Sequence, residues 1–404
     1  ADNITDSFKL PEAICEHGIF RAVRFSREHP EIRKQEEEGK MTITRREFMR
    51  RVQVAMTAAA ATPLAQLESL AVDEQTPVVS IVKRQNGDTA AAVAEAIDLL
   101  GGIEAATEGK TSIMLKPNLV NNATTDTTDP TVVRALTELL KAAGKEVCIG
   151  EGSGAAAPGF NVIGGESYRT HDPELLDRMQ QFVFDELGYS EMARELDIPL
   201  VNLHTGEMVE VSVPDAYVFD TLMLHRSLTE VDLLVSVPRM KTHGMATVTL
   251  GLKNVIGLYA GSVYGTVRGY VHDLAAEYAD AGAAVEIVDM ARANKMGLTV
   301  VDGLVAMEGN GPSLGARSRL VDMNLIIAGT NPLATDMVTA TVMGFAVDEV
   351  PTFEWAIRAG MTPARLDDIQ VRGEPIESVR RAFWKPQLSS WKQLTNVWGY
   401  KELD

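Results

Sequence analysis

From residue 77 onward the chain alternates short β-rich runs with stretches of helical periodicity, and no other feature constrains its fold as much. "VVSIVK" (78–83) is followed by a helical pattern near 88–100, "SIMLK" (112–116) by one near 130–143, and "EVCIG" (146–150) closes the series. Strands separated by helices of roughly ten to fifteen residues need right-handed crossovers, which build a parallel sheet with helices on its faces. The expected class is therefore α/β, a mostly parallel sheet flanked by helices. Between 151 and 230 the order is less regular: a glycine-rich loop, a helical stretch near 172–196, "IPLVNL", then polar-alternating strands around 208–224. This stretch predicts an inserted smaller lobe. The pattern resumes with "VDLLVSV" (231–237), a helix near 245–257, a long helix near 271–293, "GLTVVDG" (297–303), "LVDMNLIIAG" (320–329) and "DIQVRG". The aromatic tail 379–404 reads as a strap over the core or as a contact in a homo-oligomer.

Residues before 72 do not share this pattern. "TRREFMRR" (44–51) leads into the mild apolar run "VQVAMTAAAATPLA" and then into small residues suited to cleavage after Ala65 or Ala71. Arg45, Arg46 and Phe48 carry a resemblance to a twin-arginine signal, here 41–71, which implies recognition by the twin-arginine export machinery. The alanine-rich run is too short and too weakly apolar for a membrane span; a basic amphipathic surface helix is the alternative. If Met41 is the start, residues 1–40 are an upstream extension, and the folded domain is expected over 72–378.

Residues 1–71 hold equal numbers of acidic and basic residues, 11 each, so the formal net charge of −18 falls entirely on the remainder, with 27 basic and 45 acidic residues. Such a surface repels nucleic acid and anionic membranes. The expected protein is periplasmic or secreted, without a nucleic-acid partner and without a stable membrane anchor after cleavage. Beyond the signal only Cys148 remains. One cysteine cannot form an intramolecular disulfide or an all-cysteine zinc or iron–sulfur site.

In an open parallel sheet, ligands bind beyond the carboxyl ends of the strands. The residues that follow each apolar run are therefore informative. "SIML" is followed by Lys116 and Asn118, "EVCIG" by Glu151, "LLVSV" by Arg239, Lys241 and His243, "LTVV" by Asp302, Glu308 and Asn310, and "LIIAG" by Asn331 and Asp336. Five strand ends thus direct polar groups of both signs toward one edge. A lysine desolvated or crowded by a second cation has a lowered pKa, which suits base, imine or anion-binding roles; Lys116, Lys241 and Lys253 are candidates. His243 stands near the expected start of the helix "MATVTLGLKNVIGL", where backbone N–H groups favour an anion and an imidazole can carry a proton. Glu151, Asp302, Glu308 and Asp336 offer hard oxygen ligands for Mg²⁺ or Ca²⁺, though without the spacing of a known metal motif. "GEGSGAAAPG" (150–159) lacks both the G-x-G-x-x-G frame of a dinucleotide loop and the G-x-S-x-G frame of a hydrolase elbow.

At these residues the chain resembles the DUF362 family of α/β proteins. The resemblance rests on "IMLKPNLV" (113–120), "VPRMKTHGMATVTLGLKNVIGL" (237–258), "GYVHDLA" with His272, "VVDGLVAMEGNGP" (300–312) and "NPLATDMVTATVMG" (331–344). It implies motif positions at Lys116, Asn118, Lys241, His243, Lys253, Asn254, His272, Asp302, Glu308 and Asp336; strand ends alone do not point to His272. Many relatives carry a four-cysteine ferredoxin module, whose cysteines this chain lacks. The family is grouped distantly with lactate racemase-like proteins, in which lysines and histidines hold a nickel-pincer cofactor.

The expected function is an enzyme acting on a small anionic ligand, metal-assisted or not. Lys116, Lys241, His243 and Lys253 would act in catalysis; Asn118, Arg239, Asn254, His272 and Asn310 would bind substrate; Glu151, Asp302, Glu308 and Asp336 would hold a divalent metal. A periplasmic binding or redox/metal-handling accessory protein without turnover, or a purely bracing salt-bridge network, are the alternatives.

Overall fold

The computed structural model describes residues 76–154, 160, 162–163, 166–268, 271–272, 283–388 and 401–402. The expected export signal and the extension expected before it lie outside the described residues, as do parts of the helix expected near 271–293 and of the tail. The described elements belong to one unit, Pro77–Asp404.

Ten strands form the main sheet: β1 (Val78–Lys83), β2 (Ser112–Pro117), β3 (Glu146–Glu151), β4 (Leu200–Asn202), β5 (Leu233–Val237), β6 (Arg239–His243), β7 (Thr247–Thr249), β8 (Met296–Gly309), β9 (Ser318–Gly329) and β10 (Gln370–Gly373). The order is β10-β1-β9-β8-β5-β2-β3-β4, with β6 pairing β8 and β7 pairing β6. Helices flank it: α1 (Thr89–Asp98), α2 (Pro130–Ala142), α3 (Pro173–Glu186), α4 (Tyr189–Leu196), α5 (Gly251–Asn254), α6 (Ala283–Arg292), α7 (Pro332–Val342) and α8 (Pro351–Arg358). The α/β class is as the alternation predicts. Among the described residues no helix is long and apolar enough to cross a membrane.

Local sequence sets the helix starts. Asp88, Asp129, Asp172 and Asn331 cap α1, α2, α3 and α7 by accepting a backbone N–H of the first turn, and proline opens the last three, where its missing N–H costs nothing. Gly188, at φ 76°, separates α3 from α4 where one helix is expected. Central strands are buried on both faces, as parallel strands under two helical layers must be; Ile113, Leu115, Ile149, Val235 and Val300 are fully buried and pack with Leu136 of α2 and Val183 of α3.

Three features depart from the expectation. First, β9 runs antiparallel to both β8 and β1. The 310–317 connection between β8 and β9 is too short for a crossover, which needs about a dozen residues, so "GNGPSLG" makes a hairpin. Only β9 and the short β7 run against the rest. Second, the helix expected near 245–257 is mostly not one: β6 and β7 form a hairpin, and only α5 and a 3₁₀ turn (Val255–Leu258) follow. Alternating threonines in "TVT" at 247–249 signal a strand that the helical reading overrode. Third, the 151–230 stretch, expected as an inserted smaller lobe, is also tied into the main sheet and core. It supplies edge strand β4 and the helices α3 and α4, whose Phe184, Tyr189 and Met192 enter the main core, while Met208–Ser212 and Thr221–His225 pair as a separate hairpin.

Candidate functional site

A cavity of about 420 Å³ opens beyond the carboxyl ends of β2 and β3. Eight of the thirteen residues predicted for the site line it: Lys116, Asn118, Glu151, His243, Lys253, Asn254, His272 and Asn310. Adjacent parallel strands bring the first pair together. Lys116, last but one in β2, donates from Nζ to Glu151 Oε1 at 2.8 Å, to Asn254 Oδ1 at 3.2 Å and to the Pro117 carbonyl at 3.0 Å. Burial lowers the Lys116 pKa, with Glu151 opposing that shift. Glu151 is in turn held by the N–H groups of Leu119 and Gly152, each at 2.9 Å. Asn254 also donates to the Lys116 carbonyl at 2.9 Å and to Ser236 Oγ at 3.0 Å. Lys116, Glu151 and Asn254 are thus a satisfied buried network that forms the cavity floor.

Glycines admit this packing. A Cβ on Gly257 would lie 2.6 Å from Lys116 Nζ and closer still to Glu151 Oε1, and one on Gly152 would meet the Gly257 carbonyl at 2.7 Å. Gly152 and Gly257 are thus required for close backbone approach at the cavity floor.

Arg268 is the principal residue that sequence reasoning missed. It is 1% exposed and lines the cavity. Its Nη2 donates to the Gly152 carbonyl and, at 3.4 Å, to the Gly257 carbonyl, while Nε and Nη1 are buried without a hydrogen-bond partner among the described residues. Arg268 and Val267 both have positive φ, 53° and 54°, a conformation costly for a β-branched residue. Burial lowers the guanidinium pKa to about 10, and Glu151 opposes the shift. An arginine between valine and glycine has no helical or strand periodicity to mark it. His204, also missed, is fully buried; its Nδ1 accepts the Gly261 N–H at 3.0 Å and its Nε2 donates to the Ser153 carbonyl at 2.7 Å. Burial holds its pKa near 3, so it braces the glycine loop as a neutral ring.

Lys253, on α5, is half-buried and makes no hydrogen bond among the described residues. Burial depresses its pKa to about 8; Glu286 opposes the shift, and Arg268 and Lys116 add to it. His243 ends β6, and its Nδ1 accepts the Met245 N–H at 3.0 Å. In the neutral ring the proton then sits on Nε2. Burial, with Lys253 and Lys241 adding, pushes the His243 pKa well down. His272 Nδ1 lies 2.5 Å from Oε1 of the fully buried Glu286 on α6, a partner the sequence did not suggest. Asn118 Oδ1 is buried without a partner among the described residues. Asn310 Oδ1 accepts the Gln387 N–H at 2.7 Å, tying the tail to the cavity mouth.

The other five predicted residues do not line the cavity. Arg239 Nη1 donates to the Thr124 and Thr127 carbonyls, at 3.1 and 2.7 Å, and Lys241 Nζ to the Asp126 and Pro312 carbonyls, at 2.5 and 3.3 Å. These two cations fasten the loops that form one cavity wall. Burial lowers the Lys241 pKa to about 7, with Asp126 opposing. Asp302 lies inside β8, because that strand continues to Gly309; it accepts the Asp129 N–H at 2.8 Å and the Leu304 N–H at 3.1 Å. Glu308 binds Arg319 and accepts the Trp384 N–H at 2.9 Å, pinning the tail. Asp336 accepts the Gly251 and Leu252 N–H groups at 2.7 and 2.8 Å, and burial raises its pKa to about 7. Because β9 runs backwards, its last residue, Gly329, pairs with Thr299 near the start of β8, so Asn331 and Asp336 do not follow a strand end at the cavity's edge. Among the described residues no three His, Cys, Asp or Glu side chains form a metal-binding group, and the four carboxylates proposed as ligands stay apart, each engaged with N–H groups or cations.

Residues 113–341, which supply the floor, the β6–β7 hairpin and Arg268, match the family described as "Domain of unknown function (DUF362)". The chain belongs to the DUF362 family. A thylakoid-associated protein of Synechocystis sp. is 26% identical to this DUF362 chain over 295 residues, 72% of this chain and 81% of that one. Among solved structures, the lactate racemase apoprotein of Thermoanaerobacterium thermosaccharolyticum is similar at 15% identity and TM-score 0.34, covering 57% of this chain and 50% of its own. A Thermotoga maritima protein from a structural genomics consortium is similar at 14% identity and TM-score 0.35, covering 67% and 58%. The DUF362 chain thus spans 50% and 58% of the length of these two structures.

Proposed function

We propose that this DUF362 protein is an exported enzyme acting on a small anionic substrate held in the cavity above Lys116 and Glu151. The observation that carries this reading is the Arg268 guanidinium, buried at 1% exposure with Nε and Nη1 unpartnered among the described residues, beside Lys253, which donates no hydrogen bond there. Burying a cation without partners is costly, and an anion in the cavity offsets that cost. Lys116 is neutralised by Glu151, so Arg268 and Lys253 are the anion-binding pair. His243, neutral with its proton on Nε2, is the proton donor, and Asn118 orients the ligand. Export rests on "TRREFMRR" and the following alanine-rich run.

The test is calorimetric titration of acetate and inorganic phosphate into the purified protein, with a ¹H NMR screen for conversion of small carboxylates and phosphates. Arg268→Gln is expected to weaken anion binding at least tenfold; His243→Ala is expected to keep binding and lose conversion. Equal anion affinity in the wild type and Arg268→Gln would contradict the site, and conversion surviving His243→Ala would contradict the assigned proton donor.

A further inference from the structure

Two properties of the cavity narrow what it can take. The first is charge. Arg268, Lys253, Lys116 and Glu151 line the cavity, Lys116 and Glu151 in direct contact, and Glu286 adds a second carboxylate behind His272. Among the described residues, three formally cationic Lys and Arg side chains thus stand against two carboxylates, and burial pushes the His243 pKa well down. That set matches a monoanion; a phosphate dianion would leave an unpaired negative charge in a desolvated site. The second property is the wall. Away from the cations, Leu119, Val120, Met245, Ile256, Val267 and Pro312 contribute side chains, and most of the surface that faces the cavity is carbon. The volume of about 420 Å³ lies within the range of roughly 300–1,000 Å³ typical of sites for whole small molecules, well above what a carboxylate group alone fills.

Resting on the anion-site reading, we infer that the cavity takes a monocarboxylate carrying an apolar body of several carbons, its carboxylate at Arg268 and Lys253 and its body against Val120, Met245 and Ile256. Each methylene that enters such a wall strengthens binding about fourfold.

The experiment titrates acetate, butyrate, hexanoate and octanoate, with inorganic phosphate beside them, into the full chain by calorimetry. Affinity is expected to climb about fourfold per methylene through at least hexanoate, and phosphate is expected to bind more weakly than butyrate. Val120→Asn, a partly exposed wall position, is expected to flatten the climb from acetate to hexanoate. Lys253→Met, a half-buried position that spares the floor, is expected to weaken the whole series together. Acetate or phosphate binding as tightly as hexanoate, with that binding lost in Lys253→Met, would leave the anion site standing and overturn the apolar monocarboxylate. Binding of no anion in the series would overturn both.

Discussion

Lys253 and Lys116 show how two lysines near one cavity come to different tasks. Lys116 has three acceptors and a carboxylate 2.8 Å away, so its charge is used inside the protein. Lys253 makes no such bond among the described residues, and burial brings its pKa to about 8. A bound anion favours the ammonium form, so the Lys253 pKa rises on binding. Below pH 8 the amine is already charged and affinity should be flat. Above pH 8 binding must take up a proton, and affinity should fall by up to about tenfold per pH unit. Titrations at pH 9 in two buffers of different ionisation enthalpy measure that uptake directly. Lys253→Met should abolish both the slope and the buffer dependence; a slope that survives would assign it to another group. At this scale the sequence identified the residue types well, since a lysine or histidine after a strand end is visible as a pattern. It could not tell a ligand-facing cation from a bracing one, because that depends on which carbonyls the folded loops present. Arg239 and Lys241, expected in substrate binding and catalysis, hold loop carbonyls instead, and Arg268 carried no pattern at all.

At the scale of elements, the floor of the site is a joint between β2 and β3. Lys116→Met would leave Glu151 buried without its cation, and removing one partner of a buried pair costs on the order of 3–5 kcal/mol. Urea unfolding should show that loss, and the double substitution Lys116→Met with Glu151→Met should recover a substantial part of it. A loss below about 1 kcal/mol in the single variant would mean the pair is not the joint described here. The elements themselves were legible where the period was clear, as in β1, β2, β3 and α2. The miss at residues 245–257 has a specific cause. "MATVTLGLKN" is apolar at spacings that suit a helix, but its threonines pair across the β6–β7 hairpin, and the cross-strand partners that decide the matter are supplied by Lys241, Thr242 and His243. The reversal of β9 was written in the length of the 310–317 connection, and the strand-end argument assumed a parallel run without counting it.

At the scale of the whole molecule, the sheet does two jobs with one set of polar residues. Asp302, Glu308 and Asp336 hold backbone N–H groups of α2, the tail and α5, and Arg239 and Lys241 hold carbonyls of two loops. These bonds brace the sheet through backbone groups, where the sequence suggested a network of salt bridges as one alternative. Within its frame, His243, Lys253, His272 and Arg268 face a cavity that the bracing groups shape but do not enter. Fold class was readable from alternation because crossover geometry leaves few choices. The division into brace and site was not, because both use buried charges. The most direct test of that division is anomalous diffraction from crystals of the protein soaked in bromide. The account predicts a bromide peak between Arg268 and Lys253 that disappears in Arg268→Gln; a cavity with no peak there, or a peak unchanged by that substitution, would contradict it.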